Sequence, residues 1–181
     1  PRFGMAPFFV TTQELTTPAG LINTSTQSRI VTLADSKDPL SMITETTDVN
    51  VNGRIYSTVI DTTSMTSSST TPEGRTTIRA FDSKARVTQC NPGGVLDPVL
   101  TAYDALGRIS KLVRGNQSAT YTYDPQGRMS SVENALGERF QLEYDDANRQ
   151  SATIFPSGRT FQYGYYAAGN LVSVQMPSGA V

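Results

Sequence analysis

The sequence predicts an all-β fold, in which repeated antiparallel β-hairpins of about 21 residues each form a curled meander or spiral strip. Three observations predict this fold. Two turn motifs alternate along the chain, and each recurs every 20 to 22 residues. Runs of about six or seven residues separate the turns, which is the length of an ordinary strand. The composition, with 24 Thr, 18 Ser, 14 Gly, 10 Pro and 8 Tyr, favours strands and tight turns over helices.

The first turn motif reads Tyr-Asp-x-x-Gly-Arg and has four good copies. Its Asp can accept a hydrogen bond from the backbone N–H two residues later, which starts an Asx-type turn. Its Gly or Asn suits a left-handed backbone position, where a Cβ is unfavourable. Residues 81–86 and 60–65 are decayed copies. The predicted structural residues are Tyr103, Asp104, Gly107, Arg108, Tyr123, Asp124, Gly127, Arg128, Tyr144, Asp145, Asn148, Arg149, Tyr165, Gly169 and Asn170.

The second turn motif alternates with the first and is marked by glycine. Proline often lies two residues before that glycine, which suits a type I turn followed by a left-handed bulge residue. Two interleaved motifs with one period predict a hairpin array far more strongly than either motif alone. The second-turn glycines are Gly53, Gly74, Gly94, Gly115, Gly137, Gly158 and Gly179.

The spacing predicts about a dozen strands over residues 54–181, an array of about six units. Its clearest strands are residues 129–134, 139–144, 151–155 and 160–165. Residues 66–71 fill a strand position between two turns, and we interpret them as a polar strand on the solvent side. Residues 1–53 form a Ser/Thr-rich lead-in with irregular or divergent β repeats, continuous with the array. Phe8 and Phe9 of its extended start are expected to pack against the sheet.

Charge and residue types exclude several function classes. The chain has 15 Lys and Arg against 16 Asp and Glu, so it has no basic surface typical of nucleic-acid or anionic-membrane binding. No apolar run is long enough for a membrane span. The chain has no His, which removes His-dependent triads and His metal sites. Its single cysteine, Cys90, cannot form an intrachain disulfide and is expected to be a small packed residue. We therefore expect no catalytic residues, cofactor or metal.

The repeats at residues 103–108, 123–128, 144–149 and 165–170, with their Pro-x-Gly partners, resemble the YD repeats of the Rhs family. The resemblance covers roughly residues 54–181. It implies a β-strip that spirals into a hollow shell, as in bacterial Rhs proteins and toxin-complex subunits, which enclose a toxin, and in the related teneurin shells. It also implies a secreted or cell-surface protein without catalytic activity. About six units are too few to close such a shell, so we expect this chain to be one segment of its wall.

Residues 124–127, Asp-Pro-Gln-Gly, match the cleavage signature of that family only superficially. They lie in the ordinary repeat spacing, with Tyr123 before and Arg128 after, so a turn is the better interpretation. The recurring Asp could be imagined as calcium ligands, but residues one hairpin apart do not converge on one ion. Arg108, Arg128 and Arg149 are expected to pair with the Asp of a neighbouring turn.

Two hypotheses about function follow. The first is a structural wall segment of a large exported bacterial protein that encloses or delivers a toxin. The alternative is an adhesion or carbohydrate-binding surface built on the same repeats, with the tyrosines as a stacking platform. The expected partners are further repeats of the parent protein, an enclosed toxin, or a second copy paired through the open edge of the strand at residues 171–175. We expect neither nucleic-acid binding nor membrane insertion.

Overall fold

The computed structural model describes residues 11–94 and 96–176. All regular secondary structure in these residues is β-strand, which confirms the predicted fold class. The chain divides into two compact units, residues 1–98 and 99–181, and each is described by itself below. The predicted boundary at residue 53 lies in the tight turn between two paired strands of the first unit. Among the described residues, no helix is long and apolar enough to cross a membrane.

The described part of the first unit is an antiparallel meander of seven strands, which pair in sequence order. The lead-in contributes its two longest strands, of 12 and 10 residues, in the segment where the sequence predicted longer, irregular strands, and their pairing has one register shift. The predicted contact of Phe8 and Phe9 with the sheet lies outside the described residues. The strands are β1 (Thr12–Thr16), β2 (Ile22–Leu33), β3 (Met42–Val51), β4 (Arg54–Asp61), β5 (Thr66–Thr70), β6 (Thr76–Phe81) and β7 (Val87–Asn91).

The second unit is a meander of eight strands with the same antiparallel pairing between consecutive strands. The strands are β8 (Val99–Tyr103), β9 (Ile109–Arg114), β10 (Gln117–Tyr123), β11 (Met129–Asn134), β12 (Arg139–Tyr144), β13 (Gln150–Ile154), β14 (Thr160–Tyr165) and β15 (Leu171–Gln175).

The observed strands follow the turn spacing closely. Twelve strands, β4 to β15, begin after residue 53, as the sequence predicted. Strands β11, β12, β14 and β15 have the predicted bounds, and β13 both begins and ends one residue earlier than predicted. Strand β5 occupies the Ser/Thr-rich segment at residues 66–71, but its five residues are half-buried rather than on the solvent side. Its hydroxyls are partly covered because strands pair with it on both edges.

The two faces of the sheet in the second unit differ in chemistry. Paired residues of antiparallel strands lie on the same face, so the strand pairing assigns each side chain to a face. One face, here called the aromatic face, carries Tyr121, Val132, Phe140, Leu142, Phe155, Phe161 and Tyr163. The opposite face, here called the polar face, is mostly polar and carries Ser131, Gln141, Glu143, Ala152, Ile154, Thr160, Gln162 and Gln175.

The side chains of the second unit pack laterally, between neighbours on one face, rather than in a closed core. The Phe155 ring lies 5.4 Å from the Phe140 ring and 5.2 Å from the Phe161 ring, as centroid distances. Among the described residues of the whole chain, only Ala152 and Ser131 are classed as buried. A sheet with so little buried side-chain volume must obtain much of its stability from contacts between neighbouring hairpins.

Candidate structural site at the tyrosine–aspartate turns

The turn between β8 and β9 shows how the first motif folds. The backbone N–H of Asp104 donates to the carbonyl of Arg108 at 2.8 Å, and the N–H of Gly107 donates to the carbonyl of Asp104 at 3.0 Å. The Asp104 carboxylate accepts from the N–H of Leu106 and of Arg108, each at 2.9 Å. The side chain therefore satisfies donors that the tight turn leaves without a backbone partner.

The fourth residue of these turns has a positive φ, whichever residue type occupies it. Glycines Gly107, Gly127 and Gly169 have φ of 85°, 88° and 92°. Non-glycine residues lie closer to the left-handed minimum: Asn148 has φ of 62° and Ala85 has φ of 59°. The copies with Asn148 and Ala85 thus keep the same backbone turn without glycine, whereas in the decayed copy at residues 60–65 the positive φ lies one residue later, at Met65, with φ of 54°.

Each arginine of the motif pairs with the aspartate of its own turn. Arg108 Nε donates to Asp104 Oδ2 at 2.7 Å. Arg128 with Asp124, and Arg149 with Asp145, repeat this contact at the same distance. The prediction that these arginines pair with a neighbouring turn was wrong. The five-residue turn folds back on itself, so its first and last residues are the closest opposite charges.

The arginines reach the next repeat through its tyrosine. The guanidinium of Arg108 lies over the Tyr123 ring, 4.1 Å from the centroid, and Arg128 lies 4.5 Å from the centroid of Tyr144. Arg149 and Tyr165 form the third such pair at 4.7 Å. These are cation–π contacts of the kind that stabilise partly exposed sites by about 0.5–1 kcal/mol each.

The hydroxyl of each stacked tyrosine bonds back to the preceding repeat. Tyr123 donates to the carbonyl of Ile109 at 2.7 Å, Tyr144 to Met129 at 2.9 Å and Tyr165 to Gln150 at 2.8 Å. Each acceptor directly follows the arginine that covers the ring. Aspartate, arginine and the next tyrosine therefore form one unit, repeated three times along one rim of the second unit and here called the turn ladder.

The turn ladder changes at its last turn, where tyrosine and asparagine replace aspartate and arginine at residues 166 and 170. The backbone bonds of the turn persist, from Tyr166 to Asn170 and from Gly169 to Tyr166, each at 2.9 Å. Arg149 Nη1 donates to the Tyr166 carbonyl at 3.0 Å, in the place where Arg128 Nη1 donates to the side chain of Asn148 at 2.8 Å. The arginine of one turn thus still contacts the next turn, although that next turn has no aspartate at its first position.

The turn aspartates are held ionised by these hydrogen bonds. The backbone N–H of the arginine four residues later, together with its guanidinium, lowers the pKa of Asp82 and of Asp145. For Asp104 and Asp124, partial desolvation opposes ionisation, but the hydrogen bonds from their arginines outweigh it and the pKa is again lowered. The motif thus carries charge that is neutralised within each turn and is not directed at an external ligand.

Most of the second-turn glycines that the structure describes have one of two geometries. Gly74 and Gly158 lie at φ of 79° and 80°, in the same five-residue turn as the first motif. Gly53 and Gly115 lie in two-residue hairpin turns, with φ of 85° and 53°. Gly94 has φ of 67° and follows another positive-φ glycine, whereas Gly179 lies outside the described residues.

The turn at Gly137 was predicted from its glycine alone, and the roles of Asn134 and Glu138 in it were not predicted. The Asn134 side chain accepts from the backbone N–H of Leu136 and Glu138, and its Nδ2 donates to Glu138 Oε2 at 2.7 Å. This is the arrangement of the first motif, in which the Asn134–Glu138 pair takes the place of an aspartate–arginine pair such as Asp104–Arg108. The similarity of residues 134–138, Asn-Ala-Leu-Gly-Glu, to residues 104–108, Asp-Ala-Leu-Gly-Arg, is the signal that could have revealed it.

The remaining candidate residues do not converge on a chemical site. Cys90 is a free, half-buried thiol on β7. In the part of the chain that the structure describes, no three Asp, Glu, Cys or His side chains lie close enough to hold a metal ion. The contacts of the turn ladder hold each hairpin against the next one.

The model of the teneurin YD-shell family matches residues 4–181, nearly the whole chain. The chain belongs to this family. The YD-shell turn ladder described above therefore lies within the family's matched region. No curated protein sequence matches this YD-shell chain.

Solved structures with a similar fold include Tc toxin proteins. The crystal structure of TcdB2-TccC3-Cdc42 has a TM-score of 0.55 and 16% identity, over 88% of this chain and 9% of that chain. A Photorhabdus luminescens Tc holotoxin pore with a mutation in TccC3 has a TM-score of 0.54 and 15% identity, over 94% and 11%. TcdB2-TccC3 without its hypervariable C-terminal region has a TM-score of 0.55 and 15% identity, over 94% and 12%. The YD-shell chain thus spans about a tenth of the length of these toxin chains.

Proposed function

We propose that this chain is a non-catalytic segment in the wall of a hollow β-shell that encloses and delivers a toxin, within a large exported bacterial protein. The observation that carries the proposal is the turn ladder, which joins consecutive hairpins through aspartate, arginine and tyrosine. Such contacts let a strip extend by adding repeats, without the closed core that an independent globular enzyme needs.

Two further features support the proposal that this chain is part of a shell wall. The aromatic and polar faces of the second unit offer different surfaces to the two sides of a single sheet. Solved structures with a similar fold include Tc toxin proteins, and the chain covers only a small part of each of these. The protein would therefore be secreted or exposed at the cell surface, and its partners would be further repeats and an enclosed toxin.

The alternative of a tyrosine platform for carbohydrate has less support. Tyr123, Tyr144 and Tyr165 each have one ring face covered by a guanidinium and their hydroxyl bonded to a backbone carbonyl. A sugar that stacks on the covered ring face would have to displace an arginine that is already paired with its own aspartate.

Electron microscopy and limited proteolysis of the complete parent protein test the proposal. We expect a closed hollow particle, and we expect a segment outside the repeats to resist protease until the particle is opened by denaturant. An extended rod with no lumen, or equal protease sensitivity of all segments before opening, would contradict it.

A further inference from the structure

A polar hollow of about 490 Å³ lies beside the turn between β13 and β14. Thr160, Gln162 and Gln175 line it from the polar face, where Gln162 of β14 is paired with Gln175 of β15. Ser157, Arg159 and Met176 complete the lining with Gly158. The volume is in the range of small-molecule sites, and several polar groups converge on it.

The polar side chains around this hollow are not bonded to any other side chain that the structure describes. In residues 11–94 and 96–176, Ser157, Arg159, Thr160, Gln162 and Gln175 form no side-chain hydrogen bond or ion pair. They offer a guanidinium, two hydroxyls and two amides, and an amide can both donate and accept. A ligand with a negative charge and several hydroxyl groups would use all three kinds of group.

Arg159 explains why the ligand should be acidic. It ends a five-residue turn with the same backbone bonds as the turn ladder, from Phe155 to Arg159 at 2.8 Å and from Gly158 to Phe155 at 2.9 Å. Phenylalanine occupies the first position, where the ladder turns have aspartate. The guanidinium therefore lacks the carboxylate that Arg108 and its equivalents hold at 2.7 Å. A ligand carboxylate can take that place, because guanidinium binds carboxylate with paired hydrogen bonds.

We propose that this hollow binds a carboxylated sugar, such as a uronic or sialic acid residue of a glycan. The carboxylate pairs with Arg159, and the sugar hydroxyls bond to Gln162, Gln175 and the two hydroxyl side chains. The Met176 side chain offers an apolar surface to the carbon face of the ring. For a sugar of this size we expect a dissociation constant of about 1 mM.

NMR titration of the whole chain with glucuronate, N-acetylneuraminate and glucose tests the proposal. We expect at least one acidic sugar to give saturable shifts at the amides of Gln162 and Gln175, and glucose to bind at least about tenfold more weakly. The two acidic sugars are separate arms, and the tighter one identifies the class of glycan. No saturable shift with either at about 20 mM, or equal binding of glucose, would overturn the proposal.

Matched variants locate the site. Arg159→Gln should weaken binding at least about tenfold, whereas Arg139→Gln, an exposed arginine outside the hollow, should leave it within about twofold. Gln162→Leu should also weaken binding, and Gln141→Leu on the same polar face should not. Equal losses within either pair would mean that the sugar binds elsewhere. Far-UV circular dichroism of each variant verifies that the fold is retained.

Discussion

The positive-φ position of the turns can be tested where the chain uses alanine. Ala85 lies at φ of 59° in the turn between β6 and β7, where three equivalent turns of the second unit have glycine and one has asparagine. The turn bonds are otherwise those of the ladder: Asp82 N–H donates to the Arg86 carbonyl at 3.0 Å, and Ala85 N–H to the Asp82 carbonyl at 2.9 Å. Ala85→Gly should therefore leave every hydrogen bond in place and relieve only backbone strain.

The expected gain follows from two opposing effects. A residue with a Cβ costs about 1–2 kcal/mol in the left-handed conformation, and glycine removes this cost. Glycine also gives the unfolded chain more conformational freedom, which lowers the free energy of unfolding by about 0.4–1 kcal/mol. The net effect on the free energy of unfolding should be a stabilisation of about 0.5–1 kcal/mol. For a chain of this length, that is a rise in Tm of about 1–4 °C.

Urea unfolding and thermal melting of the wild type and two variants measure this effect. Ala80→Gly, in the neighbouring strand β6, is the matched control and should destabilise by about 0.5–1 kcal/mol, because glycine is unfavourable within a strand. If Ala85→Gly lowers the stability, or if the two variants change it equally, the assigned turn conformation is wrong.

Three further outcomes are expected. Tyr144→Phe should destabilise by about 0.5–1.5 kcal/mol in urea melts because it removes the bond to the Met129 carbonyl. Tyr121→Phe should have little effect, because the Tyr121 hydroxyl has no hydrogen bond to any described residue. Folding lowers the pKa of the turn aspartates, so the stability that they contribute is present above about pH 4 and is lost as the pH falls through the folded pKa. The urea midpoint should therefore fall as the pH is lowered from about 6 to about 2. A midpoint that does not change with pH would refute this. We also propose that the chain self-associates through β15, whose five residues are all exposed, and sedimentation should show Val172→Lys to be more monomeric than the wild type.

The strands and the backbone of the turns could be predicted from sequence because their causes are local. Asp104 and Gly107 specify their turn within five residues, and the alternating side chains of β12 specify their faces. The period of about 21 residues then places the remaining strands. None of these inferences requires knowledge of what lies beside the hairpin.

The partners of the arginines could not be predicted in the same way. Arg108 can reach either its own Asp104 or a neighbouring turn, and only the folded turn decides between them. Its contact with Tyr123 depends on the pairing of β8, β9 and β10 across the sheet. The hollow at Arg159 was missed for the same reason, since its lining joins a turn to two adjacent strands.

A double-mutant cycle between Arg128 and Tyr144 tests the turn ladder most directly. The free energies of unfolding of Arg128→Ala, Tyr144→Leu and the double variant give the energy that couples one repeat to the next. We predict a coupling of about 0.5–1 kcal/mol, because the guanidinium lies 4.5 Å from the ring centroid. The same cycle between Arg108, which covers Tyr123 instead, and Tyr144 should give less than about 0.3 kcal/mol. Equal coupling energies in the two cycles would contradict the claim that the turn ladder couples each hairpin to the next.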